Sequence, residues 1–400
     1  MYYSGYHNPA DKLFLSNGIC FSVSDLSPPL SLILPTLHAC RLGGSIYDCQ
    51  FDSKSGDRVP IPDNIINNVV AALTRLKLNI QFVATEATRE AINSSKFIQA
   101  ILSATGLHLQ LLRKEDEGRI GALGVASGFS DIEGLMMDLG GGSTQITWII
   151  SQYGNVGTSP HGSFSFPYGA AALSRIMLDL KRGKFKHEAD LALEKLHQEM
   201  IPATLQERAK REGAYIIYLS GGGFRGCGYL LLYLDQQDEH HYPISQINGY
   251  AVSKERFAST EALEEVARKA LSIFRVSDRR REQVPAVAFL VKALTEAIPY
   301  GIRGACFCQG GVREGVLFRE LLPRVRPKIH SSFPAAISNH VITAFANTLY
   351  VHTTMEKESA SAAALYSTSV GILSSTRGIS HSDRARLAFG CKGTISRIVP

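Results

Sequence analysis

Short apolar runs alternate with segments of helical periodicity along most of the chain. The runs at 107–112, 214–220 and 304–309 have the length of buried strands. Segments 63–73 and 259–273 carry apolar residues at helical spacing, which predicts amphipathic helices. Strands that alternate with helices are typical of a sheet covered by helices. The pattern therefore predicts an α/β fold.

Three consecutive glycines, Gly140, Gly141 and Gly142, separate two apolar runs and predict a strand, a tight turn and a second strand. Because the turn has no Cβ atoms, backbone N–H groups can converge on an anion without steric clash. The hydroxyl groups of Ser143 and Thr144 offer two further donors. We predict a phosphate-binding hairpin, which differs from a P-loop because neither a Lys-Ser/Thr pair nor a helix follows the glycines directly.

Asp138 ends the incoming strand and is expected to lie beside the bound phosphates. A carboxylate in that position most often holds hydrated Mg²⁺, so Mg²⁺ is the expected cofactor and Asp138 the expected metal-associated residue. The alternative is a glycine-rich hairpin without a ligand. A plain turn needs only one or two glycines and no buried Asp, but the sequence pattern leaves both interpretations open.

Two other glycine clusters, at 221–223 and 310–311, also follow apolar strands. In open α/β sheets, ligands collect at the carboxyl ends of the strands. We therefore expect one phosphate-rich ligand in a cleft between two lobes, with Gly222 and Gly223 among its contacts. Residues 221–226 also match the dinucleotide-binding fingerprint, which keeps a dinucleotide oxidoreductase as an alternative. No acidic residue ends a second strand at the spacing which that fingerprint requires.

The acidic triplet Glu115, Asp116 and Glu117 lies between the last strand of the first lobe and a helix. Hydrolysis of a phosphoanhydride needs a carboxylate that orients or deprotonates the attacking water. Glu117, which precedes a glycine, is the candidate for that role. The alternative is a solvated acidic turn, which is the commoner use of a charged triplet.

Other charged residues are weaker candidates for a site. Arg89 can clamp a phosphate with two hydrogen bonds or lie exposed on its helix. The basic cluster at 275–281 is interpreted as a solvated helix start. His240 and His241 are interpreted as part of a solvated loop, because no further metal ligand lies at helical spacing.

The composition is that of an ordinary soluble globular protein, with 45% apolar and 20% charged residues in a chain of 400. This length predicts two or three domains. No apolar run approaches the roughly 18 residues of a membrane span, and the N-terminus lacks the features of a signal peptide. We therefore expect a cytoplasmic protein without a membrane partner.

Charge and cysteine usage narrow the chemistry further. The net charge is +6, but the basic residues are spread along the chain and no nucleic-acid-binding motif accompanies them, so direct nucleic-acid binding is not expected. The seven cysteines are scattered and odd in number, which favours reduced thiols. Cys306 and Cys308 are predicted to share one face of a strand in the core rather than to bind a metal.

Five ordered segments resemble the exopolyphosphatase and guanosine pentaphosphate phosphatase family, within the superfamily of actin, sugar kinases and heat-shock chaperone ATPases. The resemblance covers residues 13–385. It implies two ribonuclease-H-like lobes with an interlobe cleft, plus a C-terminal helical segment. We expect an N-terminal lobe at 13–128, a C-terminal lobe at 129–322 and a helical, incomplete C-terminal domain at 335–400. The five segments are 84–94, 114–121, 138–145, 219–226 and 308–315.

The resemblance also implies roles for particular residues. Glu117 is expected to be the catalytic base, Asp138 the metal-associated carboxylate and Arg89 a phosphate contact. Residues 140–144 are expected to form the second of two phosphate loops.

The first phosphate loop departs from the family pattern. The family has Asp-x-Gly-Ser-Asn there, whereas this chain has Leu13 and Leu15 before Ser16 and Asn17. Ser16 and Asn17 remain candidate phosphate contacts, but one metal-associated carboxylate is missing. Its loss removes stabilisation of transition-state charge, so we expect hydrolysis to be weak or absent while binding persists.

The function expected from this resemblance is binding of a nucleotide or polyphosphate by a regulator. The fungal branch of the family, which the chain resembles most, is linked to retrograde signalling from mitochondria to the nucleus. Cytoplasmic signalling proteins are therefore the expected partners, and a homodimer stays open. The alternative is an active exopolyphosphatase-like hydrolase that releases terminal phosphate.

Overall fold

The computed structural model describes the chain in nine segments. They comprise residues 19–24, 36–43, 46–75, 82–129, 131–152, 155–179, 194, 201–237 and 247–320. The described residues up to Leu112 form one compact unit, and those from Arg113 onward form a second.

The first unit combines small sheets with amphipathic helices. Strands β1 and β2 pair antiparallel, and β3 and β4 pair parallel. The helix predicted to begin at Asp63 is confirmed as α1, and it buries Ile66, Val69 and Leu73 against Phe97 and other apolar residues. The elements are β1 (Ile19–Ser24), β2 (Thr36–Gly43), α1 (Asp63–Arg75), β3 (Phe82–Ala84), α2 (Glu86–Arg89), α3 (Ser94–Thr105) and β4 (Leu109–Leu111).

The second unit is a mixed sheet with helices on both faces. Its helices are α4 (Lys114–Ala126), α5 (Ala170–Asp179), α6 (Ala203–Glu212), α7 (Gly221–Gln237), α8 (Lys254–Ala258), α9 (Thr260–Lys269), α10 (Asp278–Glu282), α11 (Val284–Ala297) and α12 (Val312–Glu320). Its strands are β5 (Asp131–Leu139), β6 (Thr144–Gln152), β7 (Asn155–Thr158), β8 (Phe164–Phe166), β9 (Tyr215–Ser220), β10 (Tyr250–Ser253) and β11 (Ile302–Phe307).

The strand order gathers the glycine motifs at one edge of the sheet. The order is β10-β11-β9-β5-β6-β7, with β8 beside β6. Strands β5, β9 and β11 are neighbours and run parallel, so their carboxyl ends lie at the same edge. Each of these ends leads into one of the three glycine clusters. The predicted hairpin at 140–142 is confirmed, with Leu139 of β5 opposite Thr144 of β6.

Strand β5 is buried on both faces. Leu135, Met137 and Leu139 belong to the large core that contains Phe224 of α7, whereas Met136 belongs to a smaller core on the other face. Successive side chains of a strand point to opposite faces, so this division follows directly from the sequence. The sheet therefore fixes the backbone of Asp138 between two packed layers.

Helices α4 and α12 approach each other closely through glycines. A Cβ atom at Gly124 would lie 1.8 Å from the carbonyl oxygen of Gly311, and one at Gly315 would lie 1.8 Å from that of Ile120. Real side chains cannot occupy such positions, so the glycines permit backbone contact between the helices. Gly310 and Gly311 thus take part in helix packing, a use that the prediction of a ligand-facing turn at this position did not include.

The boundary between the units differs from the predicted one at 128–129. Helix α4 packs against β5, β6, β8 and α12, all of which lie in the second unit. The division therefore falls between Leu112 and Arg113. The segment predicted as a C-terminal domain, 335–400, lies outside the described residues.

Candidate functional site

The glycine hairpin between β5 and β6 is held by the start of α5. The N–H groups of residues 169–171 donate to the carbonyl oxygens of Gly142, Gly140 and Gly141, each at 2.9 Å. In a trans peptide the N–H of the next residue points away from the preceding carbonyl. Because the three carbonyls face α5, the N–H groups of Gly141, Gly142 and Ser143 point to the opposite side. The hairpin therefore presents a row of amide donors.

Gly169 makes this contact with α5 feasible. A Cβ atom there would lie 2.3 Å from the carbonyl oxygen of Gly141 and 2.5 Å from the nitrogen of Gly142. Only a residue without a side chain can therefore occupy this position while the hairpin keeps its place.

The two hydroxyl residues of the hairpin have different roles. Thr144 is fully buried, and its hydroxyl donates to the carbonyl oxygen of Tyr168 at 2.7 Å. The single proton of the Thr144 hydroxyl is therefore used in a hydrogen bond within the protein. The sequence predicts instead that this hydroxyl donates to a phosphate. Ser143 accepts a hydrogen bond from Nε2 of Gln145 at 2.7 Å. Of the two hydroxyls, only that of Ser143 keeps the arrangement predicted for an anion site.

The carboxylate of Asp138 is lined by glycines from three different helices or turns. A Cβ atom at Gly221 would lie 2.6 Å from Oδ1, and Cβ atoms at Gly121 and Gly311 would each lie 3.7 Å from Oδ2. Gly221 has a φ of +89°, which lets the chain turn from β9 directly into α7. Because these residues lack side chains, their backbones can approach the carboxylate oxygens closely.

Charged and polar neighbours act on the protonation of Asp138. Burial raises the pKa of its carboxyl group, while the positive charge of Arg225 and a hydrogen bond with Ser220 oppose the rise. The negative charge of Glu314 raises that pKa further. The Ser220 hydroxyl donates to the carbonyl oxygen of Gly310 at 2.7 Å. Asp138 is thus a desolvated carboxylate on which a cation would act favourably.

The second glycine cluster starts helix α7 instead of preceding it. Gly222 and Gly223 belong to the first turn, whose N–H groups have no acceptor within the helix and point toward its N-terminus. A Cβ atom at Gly223 would lie 2.5 Å from Cδ2 of Leu139, so this residue also allows close packing on β5. A dinucleotide fingerprint needs a glycine loop before the helix, so this arrangement does not support the oxidoreductase alternative.

Glu117 lies in the first turn of α4 and is buried, with 8% of its surface exposed. The rest of the acidic triplet behaves as a surface segment. Glu115 is exposed, and Asp116 pairs with Arg113 and Arg119 at 2.9 Å each. The guanidinium of Arg113 lowers the pKa of Asp116. The solvated-turn interpretation is therefore wrong for Glu117, although it describes its two neighbours.

Contacts beside Glu117 connect α4 to the strand that follows the hairpin. A Cβ atom at Gly118 would lie 2.2 Å from Cβ of Ser163 and 3.3 Å from Cβ of Gln145. The N–H and hydroxyl groups of Ser163 also donate to the carbonyl oxygens of Glu115 and Lys114, at 3.3 Å and 3.2 Å. These contacts fix the position of α4, and therefore that of Glu117, relative to β6.

Of the phosphate contacts predicted in the first unit, the structure describes Arg89 alone. Arg89 is largely buried, its Nη1 donates to the carbonyl oxygen of Leu112 at 2.6 Å, and its Nε lies 3.5 Å from Glu90. It is thus not the exposed helix arginine of the alternative interpretation. Ser16 and Asn17 lie outside the described residues, as do Leu13 and Leu15.

Several neighbours of Asp138 and the hairpin were not predicted as site residues. Ser220, Arg225, Glu314 and Gln145 all lie inside the segments that carried the family resemblance. Sequence position alone does not show which side chains of a segment point toward a shared site. The strand alternation that resumes at Ile146, directly after Gln145, and the position of Ser220 at a strand end were the available signals.

The expected cofactor fits the donor set of the second unit. No group of three or more His, Cys, Asp or Glu side chains that could hold a metal occurs among the described residues. Mg²⁺ commonly keeps several waters and is held by one or two carboxylates together with substrate phosphates. Asp138 beside a row of amide donors meets that requirement. Cys306 and Cys308 are buried as predicted, and His240 and His241 lie outside the described residues.

Comparison with known proteins places the chain in a family. A sequence profile of the Ppx/GppA phosphatase family matches residues 55–324, which is more than half of the chain. The chain belongs to the Ppx/GppA phosphatase family. A profile of the RTG2 C-terminal domain matches residues 314–391.

Curated members and relatives of the Ppx/GppA family match over different lengths. Retrograde regulation protein 2 of Saccharomyces cerevisiae is 36% identical over 419 residues, which cover 94% of this chain and 70% of the yeast protein. Exopolyphosphatase 1 of Mycobacterium bovis is 37% identical over 94 residues, which cover 23% of this chain and 26% of that protein.

Solved structures of Ppx/GppA proteins share the fold. The Aquifex aeolicus family member aligns with a TM-score of 0.52 at 19% identity, and covers 75% of this chain and 93% of its own. A second structure of the Aquifex aeolicus enzyme aligns with a TM-score of 0.53, also at 19% identity. This alignment covers 75% of the present chain and 95% of the Aquifex aeolicus chain. The predicted α/β fold of the actin-like ATPase superfamily is confirmed. Within the described part of the chain, no helix has the length and apolar character needed to cross a membrane.

Proposed function

We propose that this Ppx/GppA protein binds a phosphoanhydride, either a nucleotide or a polyphosphate, and acts as a cytoplasmic regulator of mitochondria-to-nucleus retrograde signalling. Hydrolysis is weak or absent. The observation that carries the proposal is the anchoring of the Gly140, Gly141 and Gly142 carbonyls on α5, which turns three successive amides to the opposite side. Convergent backbone amides are a recurrent anion site in proteins.

Two further features of the second unit support an anion at this position. The first turn of α7 adds the amides of Gly222 and Gly223 at the same edge of the sheet, and a helix N-terminus favours negative charge. Asp138 offers a carboxylate for Mg²⁺ beside those amides. Bound Mg²⁺ would neutralise charge on the phosphoryl oxygens.

The regulatory part of the proposal rests on sequence. Retrograde regulation protein 2 matches nearly the whole chain, whereas the exopolyphosphatase matches less than a quarter of it. The leucines at 13 and 15 replace a carboxylate and a glycine of the family's first phosphate loop. Cytoplasmic signalling proteins are the partners that this function requires.

A hydrolase that releases terminal phosphate is the alternative function, and one observation favours it. Glu117 is buried beside the hairpin strand, and a carboxylate is the kind of group that orients or deprotonates an attacking water. A purely structural role for a buried carboxylate in the first turn of a helix is capping of the helix dipole.

The deciding experiment measures ligand binding and phosphate release on the same protein. Isothermal titration with ATP, guanosine tetraphosphate and inorganic tripolyphosphate, each with Mg²⁺, identifies the ligand. We expect at least one to bind with phosphate release at background. Release well above background that disappears in Glu117→Gln, and not in the exposed neighbour Glu115→Gln, would replace the regulator by the hydrolase. Failure of all three to bind would refute the proposal.

A further inference from the structure

We propose that Gln145 is a positioning residue of the phosphate loop, which orients the hydroxyl of Ser143 so that its proton faces the bound anion. This inference rests on the proposed phosphoanhydride binding and assigns that site a residue outside its direct contacts. Gln145 lies on β6 with 1% of its surface exposed. A polar side chain that is buried to this extent normally has hydrogen-bond partners within the protein.

The hydrogen bond between the two side chains has a defined direction. Nε2 of Gln145 lies 2.7 Å from Oγ of Ser143 and 3.4 Å from Oγ of Ser165. An amide nitrogen carries only protons and cannot accept. The Ser143 oxygen therefore accepts from Gln145, and its own proton must point elsewhere. A hydroxyl has one proton and two acceptor positions, so the amide excludes one of the directions which that proton could take.

In the proposed site, the Ser143 proton takes the side on which the hairpin amides point. The backbone N–H of Ser143 is turned away from α5, together with those of Gly141 and Gly142. A hydroxyl that is already oriented as a donor adds a charge-assisted hydrogen bond to an anion there. Gln145 thus converts a rotatable hydroxyl into a fixed donor.

Gln145 also contacts the helix that carries Glu117. A Cβ atom at Gly118 would lie 3.3 Å from Cβ of Gln145, so β6 and α4 approach each other closely here. A test must therefore separate the hydrogen bond to Ser143 from the packing against Gly118. Substitutions that keep the length of the side chain meet this condition.

Two variants of similar size test the donor. Gln145→Glu can only accept while it is ionised, so the Ser143 proton turns toward the carboxylate and away from the anion. Gln145→Met keeps the volume and removes the hydrogen bond without adding charge. We expect the Kd for inorganic tripolyphosphate to rise about tenfold in Gln145→Glu at pH 8 and about threefold in Gln145→Met. Gln152→Glu adds the same charge at the exposed end of β6 and should leave the Kd unchanged.

A double-mutant cycle with Ser143→Ala separates positioning from a structural role. If Gln145 acts through Ser143, Gln145→Met changes the Kd by less than about twofold once the hydroxyl is absent. A structural role would give the same loss in both backgrounds. The pH profile gives a second readout, because the carboxyl group introduced by Gln145→Glu can donate again once it is protonated. The gap between Gln145→Glu and wild type should therefore narrow from pH 8 to pH 5.

The outcomes separate this inference from the proposed function. Wild-type protein that binds tripolyphosphate, together with Gln145 variants of unchanged Kd, would overturn the positioning role and leave the proposed function standing. A wild-type protein that binds neither tripolyphosphate nor the nucleotides would overturn both. Melting curves verify folding of each variant, and Gln145→Met decides the matter if Gln145→Glu does not fold.

Discussion

Gly124 and Gly311 touch through their backbones, because a Cβ atom at Gly124 would lie 1.8 Å from the carbonyl oxygen of Gly311. The substitution Gly124→Ala must therefore push α12 away from α4. We expect the free energy of unfolding to fall by about 1–3 kcal/mol, as overpacking of a tight interior contact does. Urea denaturation measures it.

Gly226→Ala is the matched control for Gly124→Ala. A Cβ atom at Gly226 meets nothing closer than Cδ of Arg280 at 3.7 Å, which is an ordinary contact distance. Because alanine favours a helix more than glycine does, this variant should gain up to about 1 kcal/mol. Equal losses of stability in both variants would contradict the close contact between α4 and α12.

Gly169→Ala tests whether anion binding by the glycine hairpin depends on the close contact of the hairpin with the start of α5. The new Cβ atom would lie 2.3 Å from the carbonyl oxygen of Gly141, so the hairpin must move and its amides lose their common direction. We expect the Kd for inorganic tripolyphosphate to rise at least about tenfold, measured by titration calorimetry. Gly157→Ala on β7, where the nearest atom lies at 3.4 Å, is the control and should bind as wild type does. Unchanged binding in Gly169→Ala would refute the loop as the anion site.

Asp138→Asn tests the cost of the buried carboxylate. Burial raises the pKa of Asp138 above its unfolded value despite Arg225 and Ser220, and Glu314 adds to the rise. Stability that is present at low pH is therefore lost as pH rises through the folded-state pKa. We expect Asp138→Asn to raise the Tm at pH 8 more than at pH 4, in scanning fluorimetry without Mg²⁺ or phosphate. Binding of tripolyphosphate with Mg²⁺ should weaken in the same variant.

Asp116→Asn provides a control of opposite sign. Arg113 lowers the pKa of Asp116, so this carboxylate stabilises the fold above its unfolded pKa and the contribution disappears as pH falls. The unfolded pKa of this group is 3.8, so its replacement should lower the Tm at both pH 8 and pH 4 and have less effect only near pH 2. A decrease in Tm for Asp138→Asn at pH 8 would show that Arg225 and Ser220 outweigh desolvation.

Thr144→Val decides between the two roles considered for this hydroxyl. The variant leaves the partly buried carbonyl of Tyr168 without the hydrogen bond that Thr144 donates at 2.7 Å. We expect a loss of about 1–3 kcal/mol in the free energy of unfolding, whereas Thr144→Ser should keep most of it. Urea denaturation makes the comparison. A Thr144→Val protein of unchanged stability but weaker anion binding would restore the predicted phosphate contact.

The elements that sequence predicts well are those fixed by local pattern. The hairpin around residues 140–142 follows from two alternating strands and residues that only a turn tolerates. Helix α1 follows from the spacing of Ile66, Val69 and Leu73. In both cases the neighbours that determine the structure lie within a few positions of each other.

The features that sequence does not predict depend on distant partners. Glycine has a low helix propensity, so the sequence does not predict that α7 begins at Gly221. At the end of β9 the chain passes close to Leu139, where only glycine fits. Glu117 belongs to a triplet that is typical of a surface, but contacts of the next residue with Ser163 and Gln145 cover it. The use of Gly311 for packing requires knowledge of α4.

The anchoring of the hairpin on α5 also bears on how fast a ligand is captured. Since the three glycine carbonyls already accept hydrogen bonds from the start of α5, the hairpin does not need to become more ordered when an anion binds. Little ordering entropy is then spent on association, and the on-rate is governed by diffusion and charge rather than by a loop that must first rearrange. For the proposed phosphoanhydride site, this predicts that occupancy follows rapid changes in the concentration of the ligand.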